Sequence, residues 1–154
     1  MSLEFGVFDH IEPVPGQSLD HIYNNRLEQI ERFDTAGFYA YHLAEHHTPA
    51  VHSLAPSQNV FLAAVSQRTS NLRFGPCVYV LPLHHPLRLI EEISMLDNLS
   101  GGRLEIGVGR GGVNDTPPPQ RRPVVLRGDD HRCRLLRRTC IRAAPAVGGL
   151  DAHD

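Results

Sequence analysis

Four short clusters of side chains in this sequence suit chemistry near neutral pH: Asp9-His10, Glu45-His46-His47, His84-His85 and Arg110. A histidine exchanges its proton near neutrality and can pass it to or from a reacting group. A carboxylate beside it holds the ring and tunes it. An arginine presents a planar fork that matches phosphate or carboxylate oxygens. The same side chains could ligate a metal in a hydrolase-like barrel, but the first strand lacks a His-x-His and the ligand spacing is not closed. Cys77, Cys133 and Cys140 are too few and too scattered for a disulfide framework or a zinc knuckle. No metal is expected.

The elements that must position these clusters alternate in type. Phe5-Gly6-Val7-Phe8 is a short apolar run, a buried strand leading to Asp9-His10. Leu19, Ile22, Tyr23, Leu27, Ile30 and Phe33 recur at helical spacing after Ser18, a suitable N-cap, and Ala36-Gly37 ends that helix. Tyr39 to Ala44 reads as a second strand, ending at Glu45-His46-His47. A helix is expected from Pro56 to Arg68 with Val60, Phe61, Ala64 and Val65 inward, then a third strand at Cys77–Leu81. Pro86 opens a further helix with Leu89, Ile90, Ile93 and Leu96 on its buried face. Ser100-Gly101-Gly102 closes it, and Leu104–Val108 is the fourth strand.

Strand and helix in alternation imply a parallel sheet with right-handed crossovers. Every cluster falls just past the C-terminal end of a strand, the edge where α/β folds place their chemistry. The fold class is therefore α/β: about four βα units, the N-terminal half of a TIM-type (β/α)8 barrel, followed by an irregular C-terminal tail. The first βα junction lacks a Gly-x-Gly-x-x-Gly turn, which counts against a dinucleotide-binding open sheet.

The composition changes sharply along the chain. All four Tyr and six Phe lie at or before Tyr79, and there is no Lys. Residues 1–112 form the regular domain. Residues 113–154 are rich in Arg and Pro, with Arg132, Arg134, Arg137 and Arg138 packed around Cys133. That tail resembles GC-rich DNA translated in the wrong frame, and a disordered basic tail would have the same composition. Near-neutral net charge gives no reason to expect nucleic acid or membrane as a partner. No apolar run reaches membrane-spanning length and no basic, apolar leader opens the chain, so a cytoplasmic location is expected.

Several motifs resemble the bacterial-luciferase-like, flavin-dependent monooxygenase family. They are Phe5-Gly6, Ala36-Gly37-Phe38, Leu43-Ala44-Glu45-His46-His47, Val80-Leu81-Pro82-x-x-His85-Pro86, Leu96-Asp97-x-x-Ser100-x-Gly102-Arg103 and Gly107-Val108-Gly109-Arg110-Gly111, in family order over residues 3 to 112. The resemblance implies a barrel that binds reduced FMN at its C-terminal rim and uses O2 on an aldehyde, alkane or similar small organic molecule. It implies a flavin reductase as partner and a homo- or hetero-oligomer, with the deazaflavin F420 as the alternative cofactor. It assigns His46 as the active-site histidine, with Glu45 and His47 as neighbours that hold or tune it. It places Cys77, Val78, Tyr79, Gly109 and Arg110 at the cofactor, with a cis Cys77–Val78 bond beneath the ring system and Arg110 at the phosphate. Gly109 stands where bacterial luciferase has a reactive cysteine, which points to a relative rather than a light-emitting enzyme.

Each residue also has a plainer reading. Asp9 and His10 read as rim-lining and Cys77 as a small core residue. His47, His84 and His85 stay open between function and structure, since His85 before Pro86 shapes the turn into the helix. For the whole chain the expectation is a truncated monooxygenase, weak or inactive alone. The alternatives are a non-catalytic fragment that pairs with a full-length homologue and, less favoured, the metal-dependent hydrolase barrel.

Overall fold

The computed structural model of the chain describes residues 3–47, 53–111 and 124–126. The elements run β1 (Gly6–Asp9), α1 (Leu19–Thr35), β2 (Ala40–Leu43), α2 (Gln58–Arg68), β3 (Arg73–Pro76), β4 (Tyr79–Val80), α3 (Pro86–Leu99), β5 (Ile106–Gly109) and β6 (Val124–Leu126). β1, β2 and β3 are parallel neighbours in that order, and β4 is parallel to β5. The Phe74–Leu104 bridge joins the two sheets, so β3 and β4 lie along the same neighbour.

Register explains where the core sits. Val7, Tyr41 and Phe74 pair across β1, β2 and β3, and these residues share one hydrophobic cluster with Ile22, Leu27 and Ile30 of α1, Phe61, Leu62 and Val65 of α2, and Leu89 and Leu96 of α3. All three helices therefore cover the same face. Strand side chains alternate, so Phe8, His42 and Gly75, also in register, occupy the other face.

Three expectations need correction. The third strand does not run Cys77–Leu81: the ladder to β2 is Arg73–Pro76, and Tyr79–Val80 forms a separate pairing with β5. Leu81–Leu83 is a 3-10 turn with Pro82 inside it, and a proline both fixes φ and withholds a ladder donor. The α2 helix starts at Gln58 behind Ser57, not at Pro56, and its inward stripe is Gln58, Phe61, Leu62, Val65 and Ser66. That stripe keeps the i, i+3, i+4, i+7 pattern and leaves Val60 outside, 73% exposed. Within the expected irregular tail, Val124–Leu126 pairs antiparallel with Ile106–Val108, as a short β-favouring run can. The rest of that tail, with Cys133 and Cys140, lies outside the described residues.

Smaller differences concern single side chains. Ser18 takes the extended N-cap conformation of α1 but makes no side-chain cap bond. Leu19 and Ile90 are exposed. Among the described residues no helix is long and apolar enough to cross a membrane.

On the face away from the helices, Glu105 is buried and gathers Tyr39 Oη at 3.0 Å, His42 Nε2 at 3.0 Å and Arg73 Nε at 2.7 Å. Gly75 lies against its backbone, because a Cβ there would stand 1.7 Å from the Glu105 carbonyl oxygen. Burial would raise the Glu105 carboxyl, but the bonds from His42, Arg73 and Tyr39 outweigh it and bring the pKa to about 2. Because that value lies below the ordinary 4.5, the network's stabilisation is fully present above about pH 4.5 and disappears as pH falls toward about 2. Glu105→Gln should therefore cost about 2–3 kcal/mol in urea unfolding near neutral pH. Unfolding repeated in acid should show the gap between variant and wild type shrinking; a gap independent of pH would contradict the network.

Candidate functional site

The ends of β1 and β2 are fastened first. The buried Asp9 carboxylate accepts the Ile11 N–H at 3.0 Å and the Tyr41 hydroxyl at 2.6 Å, and Arg26 Nε stands 3.2 Å away. Burial and the adjacent Asp9 push the Tyr41 phenol up, so it stays a donor. Ile11 has φ +49°, a left-handed conformation unusual for a β-branched residue. Asp9 therefore holds a strained turn, and its place on the rim is structural. From that turn His10 lies parallel to His46, with ring centroids 5.2 Å apart, and meets Phe8 edge-on.

Glu45 is the centre of the second cluster. Its side chain is 2% exposed. One oxygen lies 2.7 Å from His47 Nε2, the other accepts the Val80 N–H at 2.8 Å, and His84 Nε2 sits 2.9 and 3.0 Å from the pair. Burial would raise this carboxyl, yet the bonds from His84, His47 and Val80 together hold it below the ordinary range. It is therefore an anion at neutral pH, held between the His47 and His84 imidazoles and the Val80 N–H.

The third strand end provides a platform. The Cys77–Val78 bond is cis, as the resemblance implied. The Cys77 N–H donates to Leu43 O at 2.9 Å, and burial pushes the Cys77 thiol up, which leaves it a poor nucleophile. Tyr79 is buried, with its hydroxyl turned to Asn59 and its ring edge-on to His84. β5 fits beneath because it is built on glycine. A Cβ at Gly107 would meet Pro76 O at 2.8 Å, and one at Gly109 would meet Val78 Cγ2 at 2.8 Å. Gly109 is Val80's register partner, so the exposed Arg110 follows immediately beside the platform.

The structure thus brings Glu45, His46, His47, Cys77, Val78, Tyr79, Gly109 and Arg110 to one rim, together with His10. His84 belongs there too, through its bonds to Glu45. Its signal in the sequence was a histidine at a strand end, a feature shared by His85. That neighbour is exposed and takes the extended pre-proline conformation at the start of α3. Gln58 and Asn59 were missed altogether. The rim's own set, the exposed Arg110, the imidazoles and a glycine-lined strand, suits a flavin with a phosphate tail. Among the described residues no group of three or more His, Cys, Asp or Glu could hold a metal ion.

This arrangement puts histidines, a carboxylate and an arginine at four strand ends of a parallel α/β sheet, the edge where α/β enzymes place their active sites. The luciferase-like monooxygenase family profile matches residues 3–129, and the chain belongs to that family. A Sinorhizobium fredii protein of uncharacterized function is 54% identical over 111 residues, 72% of this chain and 32% of that protein. Limonene 1,2-monooxygenase of Rhodococcus erythropolis is 40% identical over 89 residues, 58% and 23% of the two chains. The oxygenase component of a flavin-dependent trigonelline monooxygenase from Acinetobacter baylyi is 33% identical over 110 residues, 71% and 30%. Among solved structures, the oxygenating constituent of 3,6-diketocamphane monooxygenase from Pseudomonas putida, in complex with FMN, superposes with a TM-score of 0.67 at 26% identity, covering 73% of this chain and 31% of that one. The chain spans about a third or less of the length of the curated relatives it matches.

Replacing Glu45 by Gln keeps the shape but turns one acceptor into a donor facing His47, His84 and the Val80 N–H. The expected cost is about 1–3 kcal/mol, read by thermal or urea unfolding. A change below about 0.5 kcal/mol, the size of an ordinary surface substitution, would show that the carboxylate is not the hub.

Proposed function

We propose that this chain is the N-terminal half of a (β/α)8 barrel and carries the flavin-facing rim of an FMN-dependent monooxygenase acting on an aldehyde, alkane or similar small organic molecule. The convergence of His10, Glu45, His46, His47 and His84 beyond the C-terminal ends of β1, β2 and β4 carries this reading. Among the described residues, the packing of all three α-helices on one sheet face supports a barrel segment over a doubly wound sheet, which is covered on both faces. FMN is favoured over the deazaflavin because the Acinetobacter relative is named flavin-dependent and the Pseudomonas structure holds FMN. The term "oxygenase component" supports a separate reductase that delivers reduced FMN.

Reduced flavin supplies the chemistry of oxygen activation when bound. The chain's own part is to seat the flavin and manage protons. Arg110, exposed past β5, takes the phosphate. The Cys77–Val80 segment forms the surface under the ring system. His46, stacked on His10, exchanges a proton at the open side of the rim. Glu45 stays ionised and holds His47 and His84 in place around it. The chain spans about a third or less of these relatives' length, so the parts assigned here are those of the rim alone.

Anaerobic titration of the chain with reduced FMN should show saturable binding. Arg110→Ala should weaken it by about tenfold, the loss of one charge-assisted contact. With a reductase and an aldehyde, His46→Ala should lower whatever turnover is present by about a hundredfold or more. Binding that does not respond to Arg110→Ala would contradict the phosphate assignment, and absence of any binding would contradict the flavin rim.

A further inference from the structure

We infer that Gln58 and Asn59, adjacent on the first turn of α2, are positioning residues that clamp the Cys77–Val80 segment to the end of β2. The inference rests on the flavin reading of the rim for its functional meaning and on the geometry alone for its structural content.

Gln58 is 4% exposed, on the same inward stripe as Phe61, Leu62 and Val65. An apolar residue would serve the core better there, since a buried amide is costly unless its polar atoms are bonded. Gln58 Nε2 stands 2.8 Å from Leu43 O and, more distantly, 3.5 Å from Val78 O. An amide NH2 has two hydrogens, so one side chain reaches both the last residue of β2 and the segment opposite it. Asn59 takes the next residue. Its Oδ1 accepts the Tyr79 hydroxyl at 2.5 Å, and its Nδ2 donates to Glu92 on α3 at 2.5 Å. A hydroxyl donor on one side and a carboxylate acceptor on the other select a single orientation of the amide.

The C-terminal end of β2 completes the grip. Leu43 O receives the Cys77 N–H, and Glu45 receives the Val80 N–H. Each residue from Cys77 to Val80 is thereby tied, by backbone or side chain, to α2 or to the last residues of β2 and the segment just after it. Tyr79 also sets its ring against His84, which holds the same Glu45 carboxylate. The clamp thus couples the surface offered to the flavin to the proton-handling cluster beside it.

The test compares full-length chains carrying Gln58→Met, which keeps length and loses the donors, Tyr79→Phe, which removes only the hydroxyl, and Leu62→Ala, a core truncation on the same helix. Amide hydrogen exchange by NMR and anaerobic titration with reduced FMN are measured on each. Gln58→Met should speed exchange of the Val80 amide by about tenfold while Tyr41 and Phe74 in the sheet stay protected, and should weaken reduced-FMN binding about fivefold or more. Tyr79→Phe should act in the same direction, and it decides the matter if Gln58→Met does not fold. Leu62→Ala should raise exchange at all three amides together. If Gln58→Met follows the Leu62→Ala pattern, or leaves Val80 unchanged, the residue merely stabilises the fold and the inference is overturned. If the wild-type chain takes up no reduced FMN, the flavin reading fails while Val80 exchange still decides the clamp.

Discussion

One buried carboxylate organises the rim. Glu45 sits at the end of β2 with almost no solvent to stabilise its charge, so the protein must surround it with donors. Those donors come from three places in the chain: His47 just beyond it, the Val80 backbone after the break in the third strand, and His84 in the turn before α3. Meeting that requirement pulls residues 77 to 84 over the end of β2. The close approach in turn demands glycine on β5, where side chains at Gly107 and Gly109 would collide with Pro76 and Val78.

The two faces of the sheet divide the work. The face toward the helices is apolar and continuous from Val7 through Tyr41 and Phe74 to Ile106. The opposite face carries Phe8, His42, Arg73 and Glu105, with glycines where backbones touch. Burial of the first face fixes the register, because a slip of one residue would exchange the two sets. The register then delivers Asp9, Leu43 and Pro76 to the same level, and the rim follows one residue later.

Periodicity made most of this visible in the sequence. The inward positions Ile22, Leu27 and Ile30 of α1, and Leu89 and Leu96 of α3, follow from helical spacing. The clustering of polar residues after strands marked the rim without any fold being known. The third strand was not legible, because Cys77–Leu81 is an unbroken apolar run whose interruption depends on contacts from distant residues: Gly75 against Glu105, and Gln58 against Leu43 and Val78. Gln58 itself leaves a faint signal, a polar residue in an apolar helical stripe, which is hidden when Pro56 is taken as the first residue of the helix. The Glu105 network was not legible either, since Tyr39, His42, Arg73 and Glu105 are brought together only by strand pairing.

On the reading proposed above, the flavin lies on the rim built around Glu45. The most direct measurement is NMR mapping of the labelled chain as FMN is added. Shifts should concentrate at His10, His46, Val78, Val80, Gly109 and Arg110, with the Glu105 network and the outer surface of α2 and α3 unmoved. Shifts confined to that outer surface, or scattered without reference to the rim, would contradict it.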